Sequence, residues 1–195
     1  MIDSNKIEEY YDEHAAFWDD NYYQEYNARK IAAMLTCSEP KGCVLDIACG
    51  NGAMFIDLMQ AGASEIEGID ISMQMIEIAR KKFYVEPRIS LRWMDVMCFD
   101  ELGFDAAIMF NAYNHFSDRL SLVNKVHELL VPDGRFTVAH APGRGATNRM
   151  SADLPDSIAV LLSRAEDEAA IWKPYFNVDV ICDMPDMFII SGTAY

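Results

Sequence analysis

The sequence predicts an α/β fold in three layers, with helices on both faces of a mostly parallel sheet, an antiparallel edge hairpin at the C-terminus and a helical segment at the N-terminus. Apolar runs alternate with segments of helical spacing along residues 44–141, which is typical of strands joined by crossover helices. Hydrophobic residues make up 51% of the 195 residues, enough for one buried core. We therefore treat residues 1–195 as one domain, with an N-terminal helical segment at 1–36 and an α/β core at 41–195.

The first predicted strand ends in a glycine-rich turn. Residues 44–47 (VLDI) form a short apolar run that contains Asp46, and Gly50 and Gly52 follow it. Strands covered on both faces have such apolar runs, and ligands of parallel sheets lie beyond the carboxyl ends of the strands. Glycine lets the backbone approach a ligand closely, and the start of the next helix offers unpaired amide hydrogens. The turn therefore predicts a site for a nucleotide-type ligand.

Two more acids follow predicted strands in order. Asp70 closes the segment 65–70, and Asp95 closes the segment 89–94. The dinucleotide fingerprint G-x-G-x-x-G is incomplete here, because Phe55 stands where its third glycine would be. Each acid alone has a structural alternative as a helix cap or turn former. Three acids at successive strand ends favour a bound nucleotide-type cofactor.

The remaining elements follow from periodicity and turn residues. Further strands are predicted at 104–111 and 135–141, separated by a turn at 132–134. Predicted helices occupy 51–61, 72–83 and 118–130, another helical stretch begins near Pro155, and strands 178–182 and 187–193 form the closing hairpin.

The motifs DIACGNG, GIDIS, MDV and FDAAIMFNAYNHF occur in this order, and with them the chain resembles the class I (Rossmann-like) S-adenosylmethionine-dependent methyltransferases. The resemblance spans nearly the whole chain. It implies S-adenosyl-L-methionine as the cofactor and S-adenosyl-L-homocysteine as its product. The family often has glycine where Ala48 stands, and alanine argues against a positive φ at this position.

The resemblance also implies roles for individual residues. Asp46 and the backbone from Ala48 to Gly52 would hold the methionine portion, Asp70 the ribose hydroxyls and Asp95 the adenine amino group. Ile71 and Val96 would enclose the adenine. The cofactor-binding residues expected in this way are Tyr11, Trp18, Asp46, Ala48, Cys49, Gly50, Gly52, Asp70, Ile71, Met75, Asp95, Val96 and Asn111.

Residues 7–35 are helical in pattern and rich in aromatic side chains, and similar methyltransferases fold an N-terminal helix over the cofactor as a lid. Tyr11 and Trp18, seven residues apart, lie on one helical face and are the candidates for ligand contact. The alternative is that these rings only pack the helix onto the domain. The aromatic residues are Tyr10, Tyr11, Phe17, Trp18, Tyr22, Tyr23 and Tyr26.

The acceptor is expected beside the segment after the fourth strand, which faces the methyl group in the family. His115 is the candidate general base, because its solution pKa suits proton transfer, although a structural hydrogen bond is an equal alternative. Arg144, with Arg149 nearby, is a candidate for holding a carboxylate or phosphate, or for pairing with a neighbouring acid. The expected substrate pocket comprises Tyr113, His115, His140 and Arg144.

Charge and cysteine content exclude several classes of partner. Acidic residues outnumber basic ones 31 to 16, and the net charge of −15 argues against binding to nucleic acid. Apolar runs are too short for a membrane span, and the polar, acidic N-terminus is unlike a secretory signal, so we expect a cytoplasmic protein without membrane partners. Five cysteines without C-x-x-C spacing indicate neither a disulfide framework nor a metal site.

We therefore expect a methyltransferase, monomeric or homodimeric, that acts on a small-molecule acceptor, since the chain is close to the bare fold. The alternatives are a methyltransferase-like protein that binds the cofactor or its product without catalysis, a protein methyltransferase, and a nicotinamide-dependent oxidoreductase.

Overall fold

The computed structural model describes residues 2–21, 26–38 and 42–195. Tyr22 and Tyr23 of the aromatic N-terminal segment lie outside these residues, as does the side chain of Tyr26. The strands are β1 (Cys43–Ile47), β2 (Glu65–Asp70), β3 (Ile89–Trp93), β4 (Phe104–Phe110), β5 (Leu130–His140), β6 (Phe176–Met184) and β7 (Met187–Ala194). The α-helices are α1 (Ser4–His14), α2 (Tyr26–Thr36), α3 (Phe55–Ala61), α4 (Met73–Lys82), α5 (Arg119–Leu129), α6 (Arg144–Ala152) and α7 (Ala165–Trp172).

The seven strands form one sheet in the order β3-β2-β1-β4-β5-β7-β6. Strands β1 to β5 are parallel, and β7 pairs antiparallel with both β5 and β6, which confirms the predicted fold class and edge hairpin. The strand order reverses between β1 and β4. In open α/β sheets such a switch point creates the crevice in which ligands bind.

Apolar side chains fill both faces of the sheet. On one face the Phe136 and Trp172 rings stack with centroids 3.9 Å apart, and the edge of Phe176 packs against Phe136. On the other face Phe55 packs edge-on against Phe83, beneath α2 and α3. Burial on both faces explains the nearly continuous apolar runs of β1 and β4.

Side-chain caps define where three helices start. The backbone N–H groups of Asn5, Met75 and Ser121 donate to the side chains of Asp3, Ser72 and Asp118, respectively. Each cap satisfies an amide that has no partner within its helix. The predicted helices at 72–83 and 118–130 are therefore confirmed to within one or two residues at each end.

The region after β5 differs from the prediction. A helix, α6, starts directly after Gly143, and α7 begins ten residues later than the helical stretch predicted from Pro155. Three acids in the first turn of α7, residues 166–168, favour its start through the helix dipole. The predicted turn at 132–134 lies within the irregular first part of β5, where Asp133 has φ 63°.

Helix α1 packs across the start of α4. Asp12 of α1 accepts hydrogen bonds from the Ser72 hydroxyl at 2.5 Å and from the Gln74 backbone N–H at 3.0 Å. The N-terminal helix is thus fixed beside the carboxyl end of β2. Among the described residues no helix has the length and apolar character needed to cross a membrane.

Candidate active site

A cavity of about 920 Å³ lies at the carboxyl ends of the central strands, with α1 forming one wall. This volume is in the range of small-molecule and cofactor sites. Most of the predicted site residues line it: Tyr11, Trp18, Asp46, Ala48, Cys49, Gly50, Asp70, Ile71, Met75, Asp95, Val96, Asn111, His115 and His140. Gly52, Tyr113 and Arg144 are not among the lining residues.

Asp70 ends β2 with its carboxylate held by two backbone amides. The N–H of Gly50 donates to Oδ2 at 2.7 Å, and the N–H of Ser72 donates to Oδ1 at 2.8 Å. Burial raises the pKa of Asp70 to about 6, and the nearby charge of Asp12 adds to this rise, while the amide hydrogen bonds oppose it. Each oxygen has a second lone pair with which to accept from a ligand.

The glycine turn corrects the expectation for Ala48, which has φ 56°. The left-handed conformation costs an alanine about 1–2 kcal/mol, and it is held because the next amide, of Cys49, donates to the Ile69 carbonyl at 3.0 Å. At Gly50, with φ 54°, an added Cβ would meet only the Met75 sulfur at 4.0 Å, so the backbone conformation is what requires glycine.

Gly52 serves packing in the structure. An added Cβ there would lie 2.7 Å from the rings of Phe55 and Phe83, and φ is 83°. Gly52 is not among the residues that line the cavity, and its backbone contact with the cofactor stays a prediction.

Asp46 is 1% exposed, and its Oδ2 has no hydrogen-bond partner among the described residues. Burial raises the pKa of Asp46 well above its usual range, and the neighbouring Asp70 contributes to the rise. A buried carboxylate oxygen without a partner is unfavourable. The site therefore fits a ligand that brings a hydrogen-bond donor to the end of β1.

Asp95, Ile71 and Val96 lie together on the β2–β3 side of the cavity. Asp95 accepts from the Met97 backbone N–H at 2.9 Å and so caps a short 3-10 turn at Val96–Cys98. The capping role and the ligand role do not exclude each other, because the second oxygen of the carboxylate makes only a 3.5 Å contact with Ser4.

Tyr11 and His115 form a hydrogen-bonded pair across the cavity. His115 Nδ1 lies 2.8 Å from the Ile158 carbonyl oxygen, which can only accept, so Nδ1 carries the proton. Nε2 therefore accepts from the Tyr11 hydroxyl, at 2.6 Å. Burial lowers the pKa of His115 and raises that of Tyr11, so the imidazole is neutral and the phenol protonated. The Trp18 ring packs edge-on against Tyr11, with centroids 5.0 Å apart.

His140 ends β5 beneath the same cavity. Its side chain is buried, and Nε2 has no hydrogen-bond partner in the part of the chain that the structure describes. Burial, with smaller effects from His115 and Arg119, lowers the pKa of His140 to about 3. Asn111, with φ 56°, accepts from the Ala141 N–H at 2.8 Å through its side-chain oxygen and so joins β4 to β5.

Tyr113 and Arg144 were expected in the substrate pocket and lie elsewhere. Tyr113 is fully buried in the core, where its hydroxyl donates to Glu168 at 3.1 Å and accepts from Trp172 Nε1 at 3.2 Å. The 3-10 turn Tyr113–His115 directs its first and last side chains to opposite sides. The Nε of Arg144 donates to Asp183 of β6 at 2.8 Å.

Arg29 and Asn114 are among the lining residues that the sequence prediction does not include. Arg29 of α2 lines the cavity, and its Nε donates to Asp57 of α3 at 3.0 Å. A single arginine within the otherwise apolar face of a predicted helix is the signal that indicates such a buried pair. Asn114 also lines the cavity, and its Nδ2 donates to Ser151 at 3.1 Å, a contact that no local pattern indicates.

The sequence is similar to those of known proteins. A family model described as a methyltransferase domain matches residues 44–134, from β1 into β5. The chain is 28% identical over 135 residues to 27-O-demethylrifamycin SV methyltransferase of Amycolatopsis mediterranei, covering 64% of this chain and 49% of that protein. It is 30% identical over 118 residues to demethylmenaquinone methyltransferase of Chlorobaculum tepidum, covering 59% and 47%. The chain thus spans about half the length of these curated relatives.

A solved structure agrees over nearly the whole chain. The N-methyltransferase NodS from Bradyrhizobium japonicum WM9, in complex with S-adenosyl-L-homocysteine, superimposes with a TM-score of 0.74 over 96% of this chain and 98% of that one, at 16% identity. Likeness at this identity concerns the fold. Taken with the domain match over 44–134 and the strand-end acids Asp46, Asp70 and Asp95, it supports a class I S-adenosylmethionine-dependent methyltransferase.

Proposed function

We propose that this protein transfers a methyl group from S-adenosyl-L-methionine to a small-molecule acceptor. The observation that carries the proposal is the Asp70 carboxylate, which two backbone amides hold at the carboxyl end of β2 with a lone pair left on each oxygen. A carboxylate at this position suits the two hydroxyls of a ribose. The curated relatives, named as methyltransferases of demethylmenaquinone and 27-O-demethylrifamycin SV, support the reaction type and the class of acceptor.

The residues along the cavity fit the parts of the cofactor. Asp70 accepts from the ribose hydroxyls, Asp95 accepts from the adenine amino group, and Ile71 and Val96 cover the faces of the base. The unpartnered oxygen of Asp46 accepts from the amino group of the methionine portion. When bound, the cofactor supplies an activated methyl group on a positively charged sulfur.

Arg29 is the candidate for the methionine carboxylate. It is the one arginine or lysine among the described residues that line the cavity. Its Nε donates to Asp57 at 3.0 Å, and the planar guanidinium group matches the geometry of a carboxylate. We therefore expect substitution of Arg29 to weaken cofactor binding through both the ligand contact and the α2–α3 ion pair.

Tyr11 and His115 provide a route for the acceptor's proton. An acceptor atom that takes the methyl group from bound S-adenosyl-L-methionine would have a proton to lose. The acceptor then loses its proton to the Tyr11 oxygen, and the Tyr11 hydroxyl proton passes to His115 Nε2, which is free of a proton in the observed tautomer. His115 is thus the proposed base, and Tyr11 the group through which it acts.

The surroundings favour a small acceptor. Helix α1 forms a wall of the cavity, and such closure excludes water from the reacting groups. The net charge of −15 opposes approach of a phosphate backbone. We therefore propose a metabolite-sized acceptor for this site, in a protein that works in the cytoplasm.

Calorimetry with S-adenosyl-L-homocysteine and with NAD⁺ tests the proposal first. Binding of the former with no binding of the latter is the expected result, and the reverse would overturn it. A screen for transfer of labelled methyl groups to a metabolite panel then separates an enzyme from a protein that only binds the cofactor. Capture of a stoichiometric protein that becomes labelled would identify a protein methyltransferase instead.

A further inference from the structure

Beyond the proposed methyl transfer, on which it rests, the cavity carries information about the acceptor. We infer that the acceptor has no anionic group and has an apolar body with a hydroxyl or an amino group, which donates a hydrogen bond to Asn114 and makes a second hydrogen bond with His140. Two buried polar atoms without partners, the charge of the lining residues and their apolar neighbours lead to this assignment.

Asn114 presents a hydrogen-bond acceptor to the ligand. Its Nδ2 donates to the Ser151 hydroxyl at 3.1 Å, and its main-chain carbonyl accepts from the Val160 N–H at 2.9 Å, so the side chain is fixed between α6 and the segment before α7. The remaining atom, Oδ1, is buried and has no partner among the described residues. An amide oxygen in this state requires a donor from whatever fills the cavity.

His140 adds a second unpartnered buried atom, Nε2, in the wall of the same cavity. Its imidazole is neutral at physiological pH, because burial and the nearby Arg119 and His115 oppose protonation. It therefore supplies a hydrogen bond and no positive charge. Together with Asn114 it selects for a polar group without selecting for an anion.

Acidic side chains outnumber basic ones among the described lining residues. Asp118 and Asp153 line this half of the cavity without a lysine or arginine beside them among the described lining residues. The nearby arginines are engaged elsewhere: Arg144 pairs with Asp183, and Arg119 bonds the main-chain carbonyls of Tyr113 and Phe116. An anionic acceptor would therefore lose its hydration with no lysine or arginine in this half of the cavity to replace it.

Apolar side chains complete the acceptor half. Phe116, Met150 and Leu154 line the cavity beside the polar pair. They suit the body of an aromatic or aliphatic molecule, because pockets for small ligands combine apolar walls with a few fixed polar groups. The acceptor class is therefore a phenol, alcohol or amine without carboxylate or phosphate.

Three matched probes test this inference. Tyrosol, tyramine and 4-hydroxyphenylacetate share one phenol and differ in a neutral, cationic or anionic end. Their binding is measured by ligand-observed NMR titration of the full chain, with and without S-adenosyl-L-homocysteine. We expect tyrosol and tyramine to bind at least tenfold more tightly than 4-hydroxyphenylacetate. Equal binding, a preference for the anion, or binding of none of the three would overturn the inference.

Two variants assign the preference to this pocket. Asp153→Lys should raise the affinity for 4-hydroxyphenylacetate and lower that for tyramine, each by about threefold or more, whereas the exposed Asp156→Lys outside the cavity should change neither. Asn114→Leu should lower the affinity for tyrosol by about tenfold, while the circular dichroism of the protein stays unchanged. Unaltered probe affinities in a folded Asp153→Lys protein would contradict the assignment.

Failure of the inference and failure of the proposed function are distinguishable. A protein that does not bind S-adenosyl-L-homocysteine contradicts the proposed function, while the titrations without it still measure the charge preference of the cavity. A protein that binds S-adenosyl-L-homocysteine but prefers the anionic probe contradicts only the inference about the acceptor.

Discussion

The two halves of the cavity are built differently. In the half above β1, β2 and β3, acids are fixed by main-chain amides from adjacent loops, as when Gly50 and Ser72 hold Asp70. In the half above β4 and β5, polar groups meet across long stretches of chain: Tyr11 reaches His115 over 104 residues. The first half is a product of local backbone geometry, and the second is assembled by tertiary packing.

This difference separates two kinds of effect. Substitutions in the half above β1 to β3 should change cofactor affinity, because its groups face S-adenosyl-L-methionine, the methyl donor for every acceptor. Substitutions in the half above β4 and β5 should change turnover and acceptor choice. Breaking one contact of each kind tests whether cofactor affinity and turnover change independently.

The largest effect is expected for the proton route. Tyr11→Phe and His115→Gln should each lower kcat by about 10²–10⁴-fold with an acceptor that must lose a proton, the usual contribution of general acid–base catalysis. S-adenosyl-L-homocysteine affinity should change much less. Turnover and calorimetry of the same samples check this, and a parallel loss of cofactor affinity would contradict the separation of the halves.

Asp70→Asn should weaken S-adenosyl-L-homocysteine binding by about 1.5–3 kcal/mol, because hydrogen bonds to a charged group are lost. Calorimetry measures the change. Asp100→Asn, an exposed acid outside the cavity, serves as the matched control and should bind normally. Equal affinities of the two variants would remove Asp70 from the site.

The pH dependence of cofactor binding sharpens the same assignment. Asp70 has a pKa of about 6 in the folded protein, and ribose hydroxyls bind its charged form. Affinity for S-adenosyl-L-homocysteine should therefore fall as the pH drops below 6, by up to about tenfold per pH unit. Asp70→Asn should remove this part of the dependence, and identical slopes for both proteins would count against it.

The raised pKa of Asp70 also makes the folding stability of the ligand-free protein depend on pH. A raised pKa means that the unfolded chain loses the Asp70 proton at a lower pH than the folded chain does. The contribution of Asp70 to folding stability therefore falls as the pH rises from about 4 to 6 and is constant above this range. Urea unfolding of the wild type and Asp70→Asn at pH 4, 5 and 7 measures it.

The smallest effect is expected at the contact between α1 and α4. Asp12→Ala removes the hydrogen bonds to Ser72 and Gln74 and should lower the local stability of α1 by about 0.5–1.5 kcal/mol. Faster amide hydrogen exchange within residues 4–14 reports this change. Glu13→Ala, an exposed neighbour, is the control, and similar exchange in both variants would show that Asp12 does not fix the helix.

The sequence permits prediction of one half of the cavity far better than the other. The strand-end acids Asp46, Asp70 and Asp95 follow from apolar runs and glycine turns, which are local signals. The separation of Tyr113 from His115, by contrast, depends on how a 3-10 turn packs on α7. The pairing of Arg144 with Asp183 depends on the edge hairpin, and neither dependence is visible in spacing.

A similar limit applies to conformation within the turn. Alanine at position 48 argues against a positive φ, yet the amides of Cys49 and Gly50 have fixed partners that hold Ala48 in the left-handed region. Local preference of about 1–2 kcal/mol is smaller than the sum of such tertiary contacts. A conformational preference of this energy therefore does not predict the backbone where several hydrogen bonds act together.

The position of α1 sets a limit on the catalytic cycle. This helix forms a wall of the cavity and is attached by Asp12 to Ser72 and by Tyr11 to His115. We expect exchange of spent cofactor for fresh to require both attachments to break, which would make the opening rate of α1 a ceiling on turnover. Changes in this one helix can therefore retune how fast the protein works without altering which donor it uses.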